Sequence, residues 1–94
     1  MSSSMDINKM IIFKQVGAKI AYYRTLRGLT QVQLAHSINI SPDTIGKVER
    51  GKYNKNISLS LLLDIANGLK IDVVLLLTFS EQDKQMWWED VNNT

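Results

Sequence analysis

Apolar residues recur along the first third of the chain at intervals that a helix gathers onto one side. Ile12, Val16, Ile20, Tyr23 and Leu26 step by four, four, three and three, which predicts an amphipathic helix. Its stripe stops at Gly28, with Arg27 just before it at the negative end of the helix dipole. Thr30 then offers an N-cap, with Gln33 at capping-box spacing, so Gln31–Ile38 reads as a short second helix. Asn39 follows, a residue type that tolerates a positive φ. Ser41-Pro42-Asp43 supplies a cap, a residue suited to the first helical position and an anion for the first turn. A third helix is therefore expected to about Arg50, stopping at Gly51. Its interior Gly46 costs about 1 kcal/mol relative to alanine, which implies a packing or close-approach reason.

Lys52–Asn56 is a polar loop. Ser58 or Ser60 caps a fourth helix with Leu59, Leu62, Leu63, Ile65, Ala66 and Leu69 as its apolar positions and Gly68 near its end. Asp72 can cap a further segment, Val73–Phe79, whose apolar run has no clear period. A short helix is favoured there, and a buried strand fits the same residues. Ser80 with Asp83 repeats the capping-box spacing, so Glu81 to about Asp90 is expected to be a last helix carrying Met86, Trp87 and Trp88. The pattern predicts an all-α bundle. Residues 1–9 read as a flexible lead-in, 10–79 as the folded domain and 80–94 as a C-terminal extension.

Length and composition narrow the chemistry. The 94 residues, 45% hydrophobic and 21% charged, suit one globular domain. With no cysteine and a single histidine, thiol nucleophiles, zinc ribbons and histidine-based metal cages are excluded. His36 reads as a surface residue with no acid placed to orient it, and no phosphate-cradling Gly-x-x-x-x-Gly-Lys run occurs. No cofactor and no catalysis are expected. The longest apolar run, Val73–Leu77, falls far short of the roughly 20 residues of a membrane span. Met10–Phe13 is likewise too short for a secretory core of about 7–15 residues. A cytoplasmic protein is expected, and the triplet Asn56-Ile57-Ser58 then carries no glycosylation signal. Net charge is only +2, but Lys9–Lys55 holds nine cations against two anions, whereas the chain from Asn56 onward holds two against six. A basic half joined to an acidic half suits a protein with one face for a polyanion.

The segment Gln31–Arg50 carries the function. Two helices of about two turns joined by only Asn39–Ser41 must cross steeply in contact, as in a helix-turn-helix. Ala35 suits the close crossing, Asn39 the left-handed turn, and Ile45 and Val48 the inner face of the second helix. Ser41, Asp43, Thr44 and Lys47 are left facing outward, on an element of the width that the major groove accepts.

Leu29-Thr30-Gln31-x-x-Leu34-Ala35, followed by Ile40-Ser41-Pro42-x-Thr44-Ile45-x-x-Val48-Glu49-Arg50-Gly51, resembles the phage-repressor-type (Cro/XRE-like) helix-turn-helix family over about Val16–Leu77. The resemblance implies a compact five-helix bundle that binds double-stranded DNA. It places Ser41, Pro42, Asp43, Thr44 and Lys47 toward the bases, and Gln31, Arg50, Lys52, Asn54 and Lys55 toward phosphates. Gln31 would also buttress the recognition helix, and Arg24 and Glu49 would form a structural ion pair. Two positions depart from the family pattern: Asn39 stands where glycine is frequent, and Gly46 leaves a gap in the recognition helix. The family implies a regulator, in the simplest case a repressor acting as a homodimer. Restriction–modification controllers and antitoxins that bind a partner protein share the pattern. An adaptor without DNA binding, working through its acidic half, is the reading from another class. Met86, Trp87 and Trp88 are expected either to form a dimer seam or to fold back onto the domain.

Overall fold

The computed structural model describes the backbone of residues 3–53 and 57–92, and side-chain surroundings from residue 8 to residue 87 within that span. Five α-helices follow one another: α1 (Ser3–Leu26), α2 (Gln31–Ser37), α3 (Pro42–Glu49), α4 (Leu59–Leu69) and α5 (Glu81–Asn92). A single 3-10 turn, Val73–Leu76, lies between α4 and α5, and no strand occurs among the described residues. The expected all-α bundle with a helix-turn-helix and an added C-terminal helix is the observed architecture.

The local stops and caps are side-chain chemistry. The Thr30 hydroxyl accepts the Gln33 N–H at 3.0 Å while Gln33 Oε1 accepts the Thr30 N–H at 2.9 Å, so two orphan donors at the start of α2 are satisfied reciprocally. Ser80 and Asp83 repeat the arrangement at α5, with both bonds at 3.0 Å. Ser58, not Ser60, caps α4. Asn39 takes φ 65°, and the amide that follows it, on Ile40, reaches back to the Ala35 carbonyl at 3.0 Å. That bond folds the chain out of α2 toward α3 within three residues.

Three expectations need correction. The helical backbone of α1 begins at Ser3 rather than near Met10, because no glycine or proline interrupts that stretch. Leu26 is 66% exposed, since two successive three-residue steps rotate it off the buried stripe. Val73–Leu76 is one 3-10 turn, capped by Asp72 Oδ1 on the Val74 N–H at 2.9 Å. It is shorter than the favoured helix and is anchored by fully buried Leu76.

The core gathers Val16 and Ile20 from α1, Leu34 and Ala35 from α2, Ile45 and Val48 from α3, Leu62, Ile65, Ala66 and Leu69 from α4, and Leu76. α1 can approach α3 this closely because residue 17 is glycine. A Cβ there would collide with the Val48 carbonyl oxygen and stand 2.6 Å from that of Glu49. The C-terminal carbonyls of α4 are held from a distance, as Arg27 donates to the Leu69 and Lys70 oxygens, each at 2.9 Å.

α5 docks on α1. The Trp87 indole N–H donates to Gln15 Oε1 at 2.6 Å, and the same Gln15 amide donates to the Asp83 carbonyl at 3.0 Å. The Trp87 ring meets Phe79 edge to face at 5.4 Å, and Lys19 Nζ lies 5.5 Å from the Phe79 ring centre. Trp87 thus folds back onto its own domain and is half-buried there. Met86 stays exposed, and the Trp88 side chain lies outside the described residues.

Two predictions follow from this packing. Gly17→Ala places a methyl against backbone that cannot swing away, and should destabilise the domain by about 1–3 kcal/mol. The urea midpoint reads this, and an unchanged midpoint would contradict so close an α1–α3 approach. The hydrogen bonds from Ser80 hold the Asp83 carboxyl below its ordinary range. Its stabilisation of α5 is complete above that range and is lost as pH falls through the depressed value. Acid titration of tryptophan fluorescence should show a loosening step in the wild type that Asp83→Ala, already lacking the carboxylate that accepts the Ser80 N–H, does not share.

Candidate nucleic-acid interface

The third helix has two unlike sides. Ile45 and Val48 are fully buried on its inner side, while Ser41 at its cap and Asp43 and Lys47 along its outer side are exposed, with Pro42 and Thr44 half-buried. Ser41 Oγ accepts the Thr44 N–H at 3.1 Å and lies 2.8 Å from Thr44 Oγ1. Lys47 Nζ stands 3.0 Å from Asp43 Oδ2, one turn back along the helix. Exposed as it is, such a pair is worth at most about 1 kcal/mol and opens readily to another partner.

What fixes this helix in space is Glu49. Arg24 Nε and Nη2 donate to its two carboxylate oxygens at 2.6 and 3.1 Å, and Gln31 Nε2 donates to Oε1 at 3.0 Å. The remaining arm of Arg24 donates to the Leu29 carbonyl at 2.8 Å. The side chains of Arg24 and Glu49 are only 17% and 6% exposed. The hydrogen bond to Glu49 raises the Arg24 pKa, burial opposes this, and the Coulomb attraction of Glu49 adds to it. The expected ion pair is therefore present, and Gln31 does buttress the recognition helix through the same carboxylate.

The phosphate-side candidates beyond α3 divide into two sets. Arg50 and Lys52 are exposed at and just beyond its C-terminus. The Arg50 guanidinium folds back along α3, its Nη1 3.1 Å from where a Cβ on Gly46 would stand, with Gln31 Oε1 at 3.4 Å. The gap at Gly46 is thus filled by the two neighbouring side chains. Asn54 and Lys55 lie outside the described residues.

Sequence reasoning passed over the placing of Lys14 and the role of Gly17. Gly51, at φ 68°, turns the chain so that a Cβ would stand 3.0 Å from Lys14 Cα, which seats an exposed lysine of α1 beside the start of the basic loop. Gly17, a mid-helix glycine like Gly46, carried the same energetic signal of a close approach, although nothing local named its partner.

A small helix bolted by buried polar contacts to two others, with an uncovered polar side and cations at its end, is the arrangement of a DNA-binding helix-turn-helix protein. A helix-turn-helix family model matches residues 20–76, and the chain belongs to that family. It is 36% identical over 73 residues to control protein C.SmaI of Serratia marcescens, covering 78% of this chain and 84% of that protein. It is 45% identical over 58 residues to an immunity repressor of Bacillus phage phi105, covering 62% of this chain but 39% of the repressor. Among solved structures, the restriction-modification controller protein C.AhdI from Aeromonas hydrophila superposes with a TM-score of 0.64 at 33% identity, over 68% of this chain and 94% of that one.

Replacing Glu49 by alanine strands a nearly buried guanidinium and should cost about 3–5 kcal/mol. Chemical denaturation measures it. A loss below about 1 kcal/mol would mean that apolar packing alone holds α3 in place.

Proposed function

We propose that the protein is a sequence-specific transcriptional regulator that binds double-stranded DNA as a homodimer on a two-fold-related operator. The observation that carries this reading is the exposed polar side of α3, held rigid by the Glu49 contacts. Ser41, Pro42, Asp43, Thr44 and Lys47 would face base edges. Gln31, Arg50, Lys52, Asn54 and Lys55 would bind phosphates, with Lys14 joining them from α1. Two copies would place their recognition helices in successive major grooves, about 34 Å apart. The simplest action is repression by occluding the promoter, in the cytoplasm and on the nucleoid.

A second reading has a specific support. The chain spans most of the length of two controller proteins, C.SmaI and C.AhdI, and less than half of the phage repressor. Likeness to these controller proteins over most of their length favours a switch of the controller type, acting on its own operator. The proposed dimer seam lies on α5, with Met86, Trp87 and Trp88. Sedimentation of the full chain, with and without Met86→Glu, tests whether α5 contributes to it.

Phosphate contacts and base contacts differ in how they respond to salt and to sequence. Lys52→Ala should weaken binding about equally on all sequences and reduce the log–log salt slope by about one. Lys47→Ala should cost about 1–3 kcal/mol on the selected operator and less on random DNA. Fluorescence anisotropy over a salt series reads both. Binding unchanged by either substitution would remove α3 from the interface.

A further inference from the structure

The hydrogen bonds of the recognition helix narrow which side chains remain free to read bases. Ser41 Oγ accepts the Thr44 N–H and shares one further hydrogen bond with the Thr44 hydroxyl, which leaves one O–H between them for another partner, and Pro42 has no polar side-chain atom. Asp43 and Lys47 are the charged groups there, their side chains 72% and 46% exposed and joined at 3.0 Å. The pair presents one acceptor-only group beside one donor-only group. It also carries no net charge, so the carboxylate can enter a groove walled by phosphates at less repulsive cost than an isolated anion.

Base pairs offer few matches to such a unit. Across the major groove, a C·G pair shows the cytosine N4 donor, then guanine O6 and N7, both acceptors. A carboxylate on N4 and an ammonium on O6 and N7 satisfy every group, and no acceptor lies on the outer side of the carboxylate. An A·T pair also shows a donor beside an acceptor, N6 and O4. There, however, adenine N7 would face the carboxylate and the thymine methyl would crowd the ammonium. We propose that Asp43 and Lys47 act as one reading unit that selects a C·G base pair in each half-site, with Asp43 accepting from cytosine N4 and Lys47 donating to guanine. This rests on the DNA-binding reading above and names the base pair that the same helix would choose.

The test is selection of bound duplexes from a random pool by the full-length wild type, Asp43→Ala and Asp43→Asn, followed by affinities on single-pair variants of the selected site. The wild type should return a motif containing one C·G pair per half-site. Asp43→Ala should lower discrimination at that pair alone, by about tenfold or more. Asp43→Asn keeps the size and first-turn position of the side chain but adds a donor, and should shift the preference toward A·T, because an amide pairs with adenine N6 and N7. A wild-type motif that neither Asp43 substitution alters would overturn this inference and leave DNA reading by α3 intact. An A·T pair at the Asp43-sensitive position would overturn it in the same limited way. A wild type that returns no motif at all would overturn both readings together.

Discussion

One buried carboxylate sets the working geometry of this molecule. α3 is eight residues long, too short to be stable in water alone, so its conformation and direction come from its surroundings. Burial of Ile45 and Val48 fixes how deep the helix sits, but apolar attraction is non-directional and would tolerate sliding or rotation about its axis. Hydrogen bonds have preferred angles and do not tolerate this. Arg24 from α1 and Gln31 from α2 both converge on Glu49, so the C-terminal end of α3 is held by two helices at once. The exposed positions one and two turns earlier inherit that orientation.

Much of this was legible in the sequence because caps and turns are decided within four residues of where they occur. Thr30 with Gln33, Ser80 with Asp83, Ser41 before Pro42 and the positive φ of Asn39 all have their cause in the immediate sequence. The helix stop at Lys70 did not. A lysine at φ 57° has no local signal, and the carbonyls it exposes are satisfied by Arg27 from the end of α1. Gly68, near the end of that helix, gives room for the Ile38 and Leu34 side chains of the neighbouring segment. The Arg24–Glu49 pair came from resemblance to a family, since nothing in the spacing of two residues 25 apart identifies them as partners.

Contacts across the chain were the part that pattern could not supply. Trp87 and Gln15 are 72 positions apart, and an amphipathic stripe shows only that Trp87 wants cover, not whether the cover is its own domain or a second copy. Gly17 has the same character, because its cost inside a helix was visible while the carbonyls of Val48 and Glu49 that require it were not. Leu26 erred in the opposite direction. Its spacing continued the stripe in sequence, but the angle accumulated over two short steps carried it off the core.

The same long-range contacts change what the charge distribution means. The basic half holds nine cations by count, yet Arg24 is committed to Glu49, Arg27 to the carbonyls of α4, and Lys19 lies over the Phe79 ring. Those three stabilise the bundle and offer little to a polyanion. Among the described residues, the exposed cations gathered at α3 and the turn after it are Lys14, Lys47, Arg50 and Lys52. Phosphate attraction grows with the number of charges neutralised and falls steeply with salt. With three of its cations spent inside the bundle, a single copy holds duplex DNA less tightly than its charge count suggests. Under the proposed function this gives two copies a physical purpose, since pairing doubles the phosphate contacts. It also leaves a larger share of the binding free energy to the base edges, where sequence is distinguished.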